Sequence, residues 1–161
     1  MNSTSKAASS SDFSSQLSDY QQIVTVKYRY GELIDKIVRD PAKDDAEQLA
    51  DLVTEDAIFE YYELLGRHEG RKNIIRLFTE FLPSKNAWMW HSFFNPIVEI
   101  NGDRAEGRFK LLAMSVRKGG PVAAPSTTYG RYVDQFVRGS DGRWRQCGLQ
   151  FFNETVKVPA A

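Results

Sequence analysis

Cysteine is almost absent. Cys147 stands alone, so no intramolecular disulfide can form and a disulfide-stapled scaffold is excluded. A lone thiol on a mixed polar and apolar strand reads as packing, not as a nucleophile. Histidine is scarce too: His68 and His91 are far apart in sequence, and with one thiol they make no zinc-type ligand cluster. Net charge is missing, since 21 Lys and Arg balance 21 Asp and Glu. That balance removes the electrostatic reason to expect nucleic acid or an anionic membrane as partner. No apolar run approaches the ~20 residues of a membrane span. The first 18 residues hold eight serines, no apolar core segment and no arginine. They read as a disordered leader, or one with a short helix within it, not a secretory signal, and the expected compartment is cytoplasmic. Lys118-Gly119-Gly120-Pro121 has neither Walker spacing nor a following helix, so no phosphate loop is expected. No serine sits on a strand-to-helix elbow. What survives is proton-transfer chemistry by Asp, His and Tyr, with no metal and no cofactor.

What is present is length for one domain, 161 residues, and twenty aromatic residues for a core or a pocket. Ile23, Val26, Tyr30, Leu33, Ile34 and Ile37 recur at helical spacing and predict a long helix over 19–39, with Ser18 as its N-cap. A short helix follows, with Ala46, Leu49 and Val53 on its apolar side. Ala57 to Tyr62 reads as a strand, and 64–69 as a short return strand. Gly70 opens a third helix that Pro83 ends. The rest reads as long strands: 88–100 and 104–116 joined by Asn101-Gly102-Asp103, then 126–138 and 143–156 joined by 139–142. Helices followed by a meander predict an α+β domain over 19–157. Its helices would pack on one face of a curved antiparallel sheet around a hydrophobic pocket.

Alternation along the strand at 88–100 places Met89, His91, Phe93 and Asn95 on one face. In an aromatic surround, His91 becomes a base if a carboxylate orients it. Otherwise it is a satisfied core histidine. His68, in a polar hairpin edge, reads as solvated. Asp35 falls at the edge of the apolar stripe of the first helix, about 60° beyond Val38. Wheel geometry taken alone favours a surface acid there. Tyr30 lies mid-stripe and points inward, and one of Tyr61 and Tyr62 faces the same interior. A buried phenol can donate to a substrate oxygen.

Several segments together resemble the SnoaL-like branch of the nuclear-transport-factor-2-like superfamily, across nearly all of 19–155. They are the helical Tyr-Arg-Tyr-Gly-Glu-Leu-Ile-Asp, the Leu-Val-Thr-Glu-Asp-Ala leading into the first strand, the Gly-Arg-Lys-Asn-Ile-Ile-Arg-Leu-Phe helix, His91 with Asn95, and the closing Asp-Gly-Arg-Trp. The resemblance implies a cone-shaped α+β barrel. Within the branch the layout is similar to scytalone dehydratase, bile-acid 7α-dehydratase and hexachlorocyclohexane dehydrochlorinase. It implies His91 as base, Asp35 as its partner, and Tyr30 and Tyr61 as the groups that polarise a substrate oxygen. It also implies a cofactor-independent lyase acting on a small cyclic or aromatic molecule, in a homodimer or homotrimer. Phe59, Trp88, Met89, Phe93, Asn95 and Met114 are the expected pocket wall. Arg131 meets the substrate if it faces inward and is a solvated edge charge if it faces outward. The second histidine of scytalone dehydratase is replaced near Arg108 and Phe109. An isomerase or cyclase using the same base, and a non-catalytic small-molecule-binding module, are the alternatives.

Overall fold

The structure is a computed structural model that describes residues 10–62, 64–119 and 125–155. Helix α1 spans Ser10–Arg39. Its six stripe residues, Ile23, Val26, Tyr30, Leu33, Ile34 and Ile37, are all buried. The helix starts well before the expected Ser18 cap, so residues 10–18 are helical where a leader was expected, and residues 1–9 lie outside the described residues. The upstream turns gain support from Asp19, which is buried and bonded to the far end of the sheet. Helix α2 follows at Lys43–Asp51, with Asp44 and Asp45 in its first turn, where the helix dipole favours acids.

Strands β1 (Val53–Glu60) and β2 (Arg67–Glu69) form a hairpin. The third helical run, 71–85, has three parts: α3 (Arg71–Arg76), a wide π turn (Leu77–Phe81) and α4 (Leu82–Lys85). Pro83 does not end the run as the sequence suggested. The π turn lets the Leu82 N–H reach back five residues to the Leu77 carbonyl. Pro83 then falls in the first turn of α4, where its missing N–H costs nothing.

The chain next enters the far edge of the sheet and meanders back through β3 (Asn86–Asn101), β4 (Arg104–Arg117), β5 (Ser126–Arg138) and β6 (Trp144–Asn153). The six strands lie in the order β2-β1-β6-β5-β4-β3. The meander is antiparallel throughout, but β6 closes against β1 in parallel, so the sheet is mixed and not wholly antiparallel. Gly102, at φ +59°, supplies the left-handed residue of the β3–β4 turn. The Gly/Pro-rich loop falls mainly on 120–124, outside the described residues. The fold is therefore α+β, with helices packed on a curved, open sheet. One hydrophobic core fills the space between them, rich in Phe59, Phe78, Phe109, Phe136 and Phe151. No helix among the described residues is long and apolar enough to cross a membrane.

Strand β3 carries an irregularity that the sequence reading did not contain. Its pairing with β4 shifts between Phe94 and Ile97, and Asn95 sits at φ +52°. The bulge changes which residues face the core. Met89 and Phe93 face it before the bulge, and Val98 and Ile100 after it.

Candidate active site

The site begins where α1 crosses β3. Gly31 allows a close approach: a Cβ there would lie 2.5 Å from a ring carbon of Phe93 and 3.4 Å from the Cβ of His91. One turn further along α1, Asp35 meets His91 at two points. The His91 backbone N–H donates to Oδ2 at 2.7 Å, and Nδ1 lies 2.6 Å from Oδ1. A carboxylate accepts, so Nδ1 carries the proton and Nε2 is left free to take one. Both side chains are only 9% exposed. Phe93 lies nearly parallel to the imidazole, its ring centre 6.1 Å away.

A second polar group lines the same cavity. The Tyr30 and Tyr61 hydroxyls are 2.5 Å apart. One phenol donates to the other, and the remaining O–H is available to the cavity. Burial pushes both phenols well above their ordinary pKa; Tyr61 raises Tyr30 further and Tyr132 raises Tyr61, while the hydrogen bond with Tyr30 lowers Tyr61 in part, so both stay protonated donors. Tyr132, on β5, is raised in the same way, first by burial. Phe59 and Phe78 hold Tyr30 edge-on at 6.2 and 5.6 Å.

Tyr30, Tyr61, His91, Met89, Met114 and Tyr132 all line one cavity. Asp35 is behind His91, not on the wall. Phe59 is fully buried behind the tyrosines. Phe93 buttresses His91. Trp88 lies with Val116 and Pro125 in a separate outer depression. Asn95 is exposed at the bulge, because the alternation that placed it beside His91 breaks there. Arg131 takes its outward alternative: it is half-exposed, bonds Glu154 at 2.9 Å and stacks on Phe152 at 3.9 Å. His68 bonds the Leu65 carbonyl at 2.9 Å and stands outside this cavity.

Sequence reasoning missed the hydroxyls of Ser115 and Thr128 on the cavity wall and a buried ion pair beneath it. Lys27 Nζ lies 2.8 Å from Asp134 Oδ2, with both side chains fully buried. The signal was in the spacing. Lys27 lies four residues after Ile23 and three before Tyr30, and on the helical wheel it falls inside the apolar stripe, between Ile34 and Val38. Among the described residues, no group of His, Cys, Asp and Glu is arranged to hold a metal ion.

The Gly31 crossing gives a direct check. Gly31→Ala is expected to cost about 1–3 kcal/mol by overpacking against Phe93. It should also shift the His91 ring proton signals in NMR. Unchanged melting and unchanged signals would show that the crossing does not set the His91 position.

Comparison with known proteins places the chain in a family. The sequence profile of the SnoaL-like domain matches residues 15–149. A candidate scytalone dehydratase from Novosphingobium aromaticivorans superposes with a TM-score of 0.75 at 21% identity, over 92% of this chain and 95% of that one. A candidate aromatic ring hydroxylase from the same organism gives 0.74 at 24% identity, over 87% and 92%. A hexachlorocyclohexane dehydrochlorinase from Novosphingobium barchaimii gives 0.73 at 18% identity, over 87% and 89%. No curated protein sequence matches the chain. The three structures share the fold, of the nuclear-transport-factor-2 type, and the profile covers most of the sequence. The chain belongs to the SnoaL-like domain family.

Proposed function

We propose that the chain is a cofactor-independent lyase that eliminates water, or another small leaving group, from a small cyclic or aromatic compound. The observation that carries this reading is the two-point grip of Asp35 on His91, which fixes the imidazole with Nε2 unprotonated at a cavity. Nε2 removes a proton from the carbon beside a carbonyl or phenolic ring. The negative charge that develops on the substrate oxygen is met by the O–H of the Tyr30–Tyr61 pair. Asp35 steadies the imidazolium. The imidazolium then gives its proton to the departing hydroxyl. The C–H and C–O bonds break, a C=C bond forms, and water leaves. The dehydratase and dehydrochlorinase names among the structural neighbours agree with this class.

Mass-spectrometric screening with aromatic and polyketide-like cyclic alcohols tests the proposal, with His91→Ala as control. Loss of 18 mass units that depends on His91 is the expected result. Deuterium exchange into a compound without loss of mass would mark an isomerase instead. Turnover that survives in His91→Ala would overturn the assignment of the base.

The cavity wall also limits the ligand. Among the described residues, it includes no Lys, Arg, Asp or Glu. A bound carboxylate would lose its hydration there without a counter-charge. A neutral probe such as 2-naphthol is therefore expected to bind ~10–100-fold tighter than 2-naphthoate. Titration calorimetry measures both, and equal affinity would show that the ligand reaches charges beyond the wall.

A further inference from the structure

We propose that Lys27 and Asp134 are positioning residues, a buried ion pair that holds the aromatic wall of the site in place. The inference rests on the site proposed above, but not on the reaction assigned to it. The pair bridges two elements that supply the site. Lys27 is on α1, one turn before Tyr30 and two turns before Asp35. Asp134 is on β5, two residues after Tyr132 and therefore on the same inward face. Nζ and Oδ2 meet at 2.8 Å, out of contact with solvent.

The ammonium sits among rings. It lies 3.6 Å from the centre of the Tyr132 ring, 4.6 Å from Phe93, 4.8 Å from Tyr30 and 5.7 Å from Phe109. Tyr30 and Tyr132 line the cavity, and Phe93 lies against the His91 imidazole. One cation thus touches a phenol on the α1 side, a phenol on the β5 side and the ring that backs the base. Attraction between an ammonium and the faces of aromatic rings is directional, and it strengthens where water is excluded. It holds the three rings at fixed distances from one another.

Stability does not account for the pair. Removing two charges from water is unfavourable, and an apolar pair of similar volume often does as well or better. Burial pushes Asp134 up to about 6, with Lys27 pulling against this, and pushes Lys27 down, with Asp134 opposing. Both shifts mark the pair as held against its own solvation. Its position beneath three site rings supplies the reason to retain it. Neither residue lines the cavity, so Lys27 acts through the rings it touches and Asp134 acts through Lys27.

The double variant Lys27→Met/Asp134→Leu tests the proposal, because it removes both charges and keeps an apolar filling. Three measurements are compared with the wild-type chain: the melting temperature, the proton NMR signals of the two histidines, and the affinity for 2-naphthol. The expected result is a melting temperature at or above wild type, a displaced His91 signal with His68 unmoved, and 2-naphthol affinity lowered about tenfold or more. If the double variant does not fold, Asp134→Asn carries the same comparison, since it keeps the side-chain shape and one acceptor. A folded variant with His91 signals and 2-naphthol affinity both unchanged overturns the proposal. Should 2-naphthol bind neither protein, the His91 signal decides by itself. These readouts need no turnover. Loss of the lyase reading, seen as activity retained in His91→Ala, is therefore distinguishable from loss of this one.

Discussion

Asp35→Asn is expected to lower kcat by about 10³–10⁴-fold while leaving the fold intact. The amide is the same shape as the carboxylate, but it has one acceptor where the carboxylate has two. Two donors of His91 now use both oxygens of Asp35. If the amide carbonyl keeps the backbone N–H, its NH₂ group faces Nδ1. Nδ1 then becomes an acceptor and the proton moves to Nε2, the nitrogen needed as base. The amide also cannot stabilise an imidazolium. His91→Ala removes the base itself and should lose activity to a similar extent. The double variant should be little worse than the more damaging single change, because the two residues act as one unit. Steady-state kinetics on the compound found by screening, with circular dichroism as the control for folding, makes the comparison. Activity of Asp35→Asn within tenfold of wild type would remove Asp35 from the chemistry.

The second large effect concerns stability, and lies at the other end of α1. Asp19→Ala is expected to cost about 2–3 kcal/mol, or roughly 5–10 °C in Tm. Asp19 accepts from Arg138 Nη1 and Nη2 at 2.8 and 2.6 Å and from Trp144 Nε1 at 3.0 Å. These bonds pin the helix to the ends of β5 and β6. Arg138 remains partly exposed and keeps Asp103 at 3.0 Å, which limits the loss. Burial alone would push the Asp19 carboxyl up. Hydrogen bonds from Arg138 and Trp144 outweigh it and hold the group below the ordinary value. A depressed carboxylate gives stability that is present above the unfolded value, about 4, and is lost as pH falls through the folded one. The gap in Tm between wild type and Asp19→Ala should therefore be wide at neutral pH and should narrow below about pH 4. Thermal melts across that range measure it. A gap that is constant with pH would mean that packing, and not the charged bonds, carries the effect.

Much of this fold is legible in the sequence, because apolar spacing reports burial directly. The α1 stripe, the Asn-Gly turn and the four long strands all follow from it. The parallel β1–β6 pair does not, because strand neighbours that are distant in sequence leave no local mark. Within the site, Tyr30 follows from periodicity, alternation leaves Tyr61 and Tyr62 as alternatives between which the family resemblance chooses, and Asp35 sits at a stripe edge where the wheel alone points to solvent. Its two bonds to His91 explain its burial. Lys27 fails for the opposite reason: its spacing is that of a core residue and its chemistry is not. A reading that scores only apolar letters skips it, and the same holds for Asp134 between Tyr132 and Phe136 on β5. Asn95 was misplaced because a bulge resets the alternation, and no residue pattern before it announces the shift.

The order of the strands leaves β3 as an outer edge of the sheet, sixteen residues long. An unpaired edge of that length is a template on which a second chain can add a strand. Three residues interrupt this template. The carboxylate of Asp35 occupies the outward N–H of His91. Asn95, in its left-handed conformation, bends the strand, and Pro96 next to it has no N–H to offer. The acid that orients the imidazole thus also closes the strand to intermolecular pairing. Asp35→Ala would open a donor on the longest free edge of the molecule, and aggregation is the form in which that opening would show.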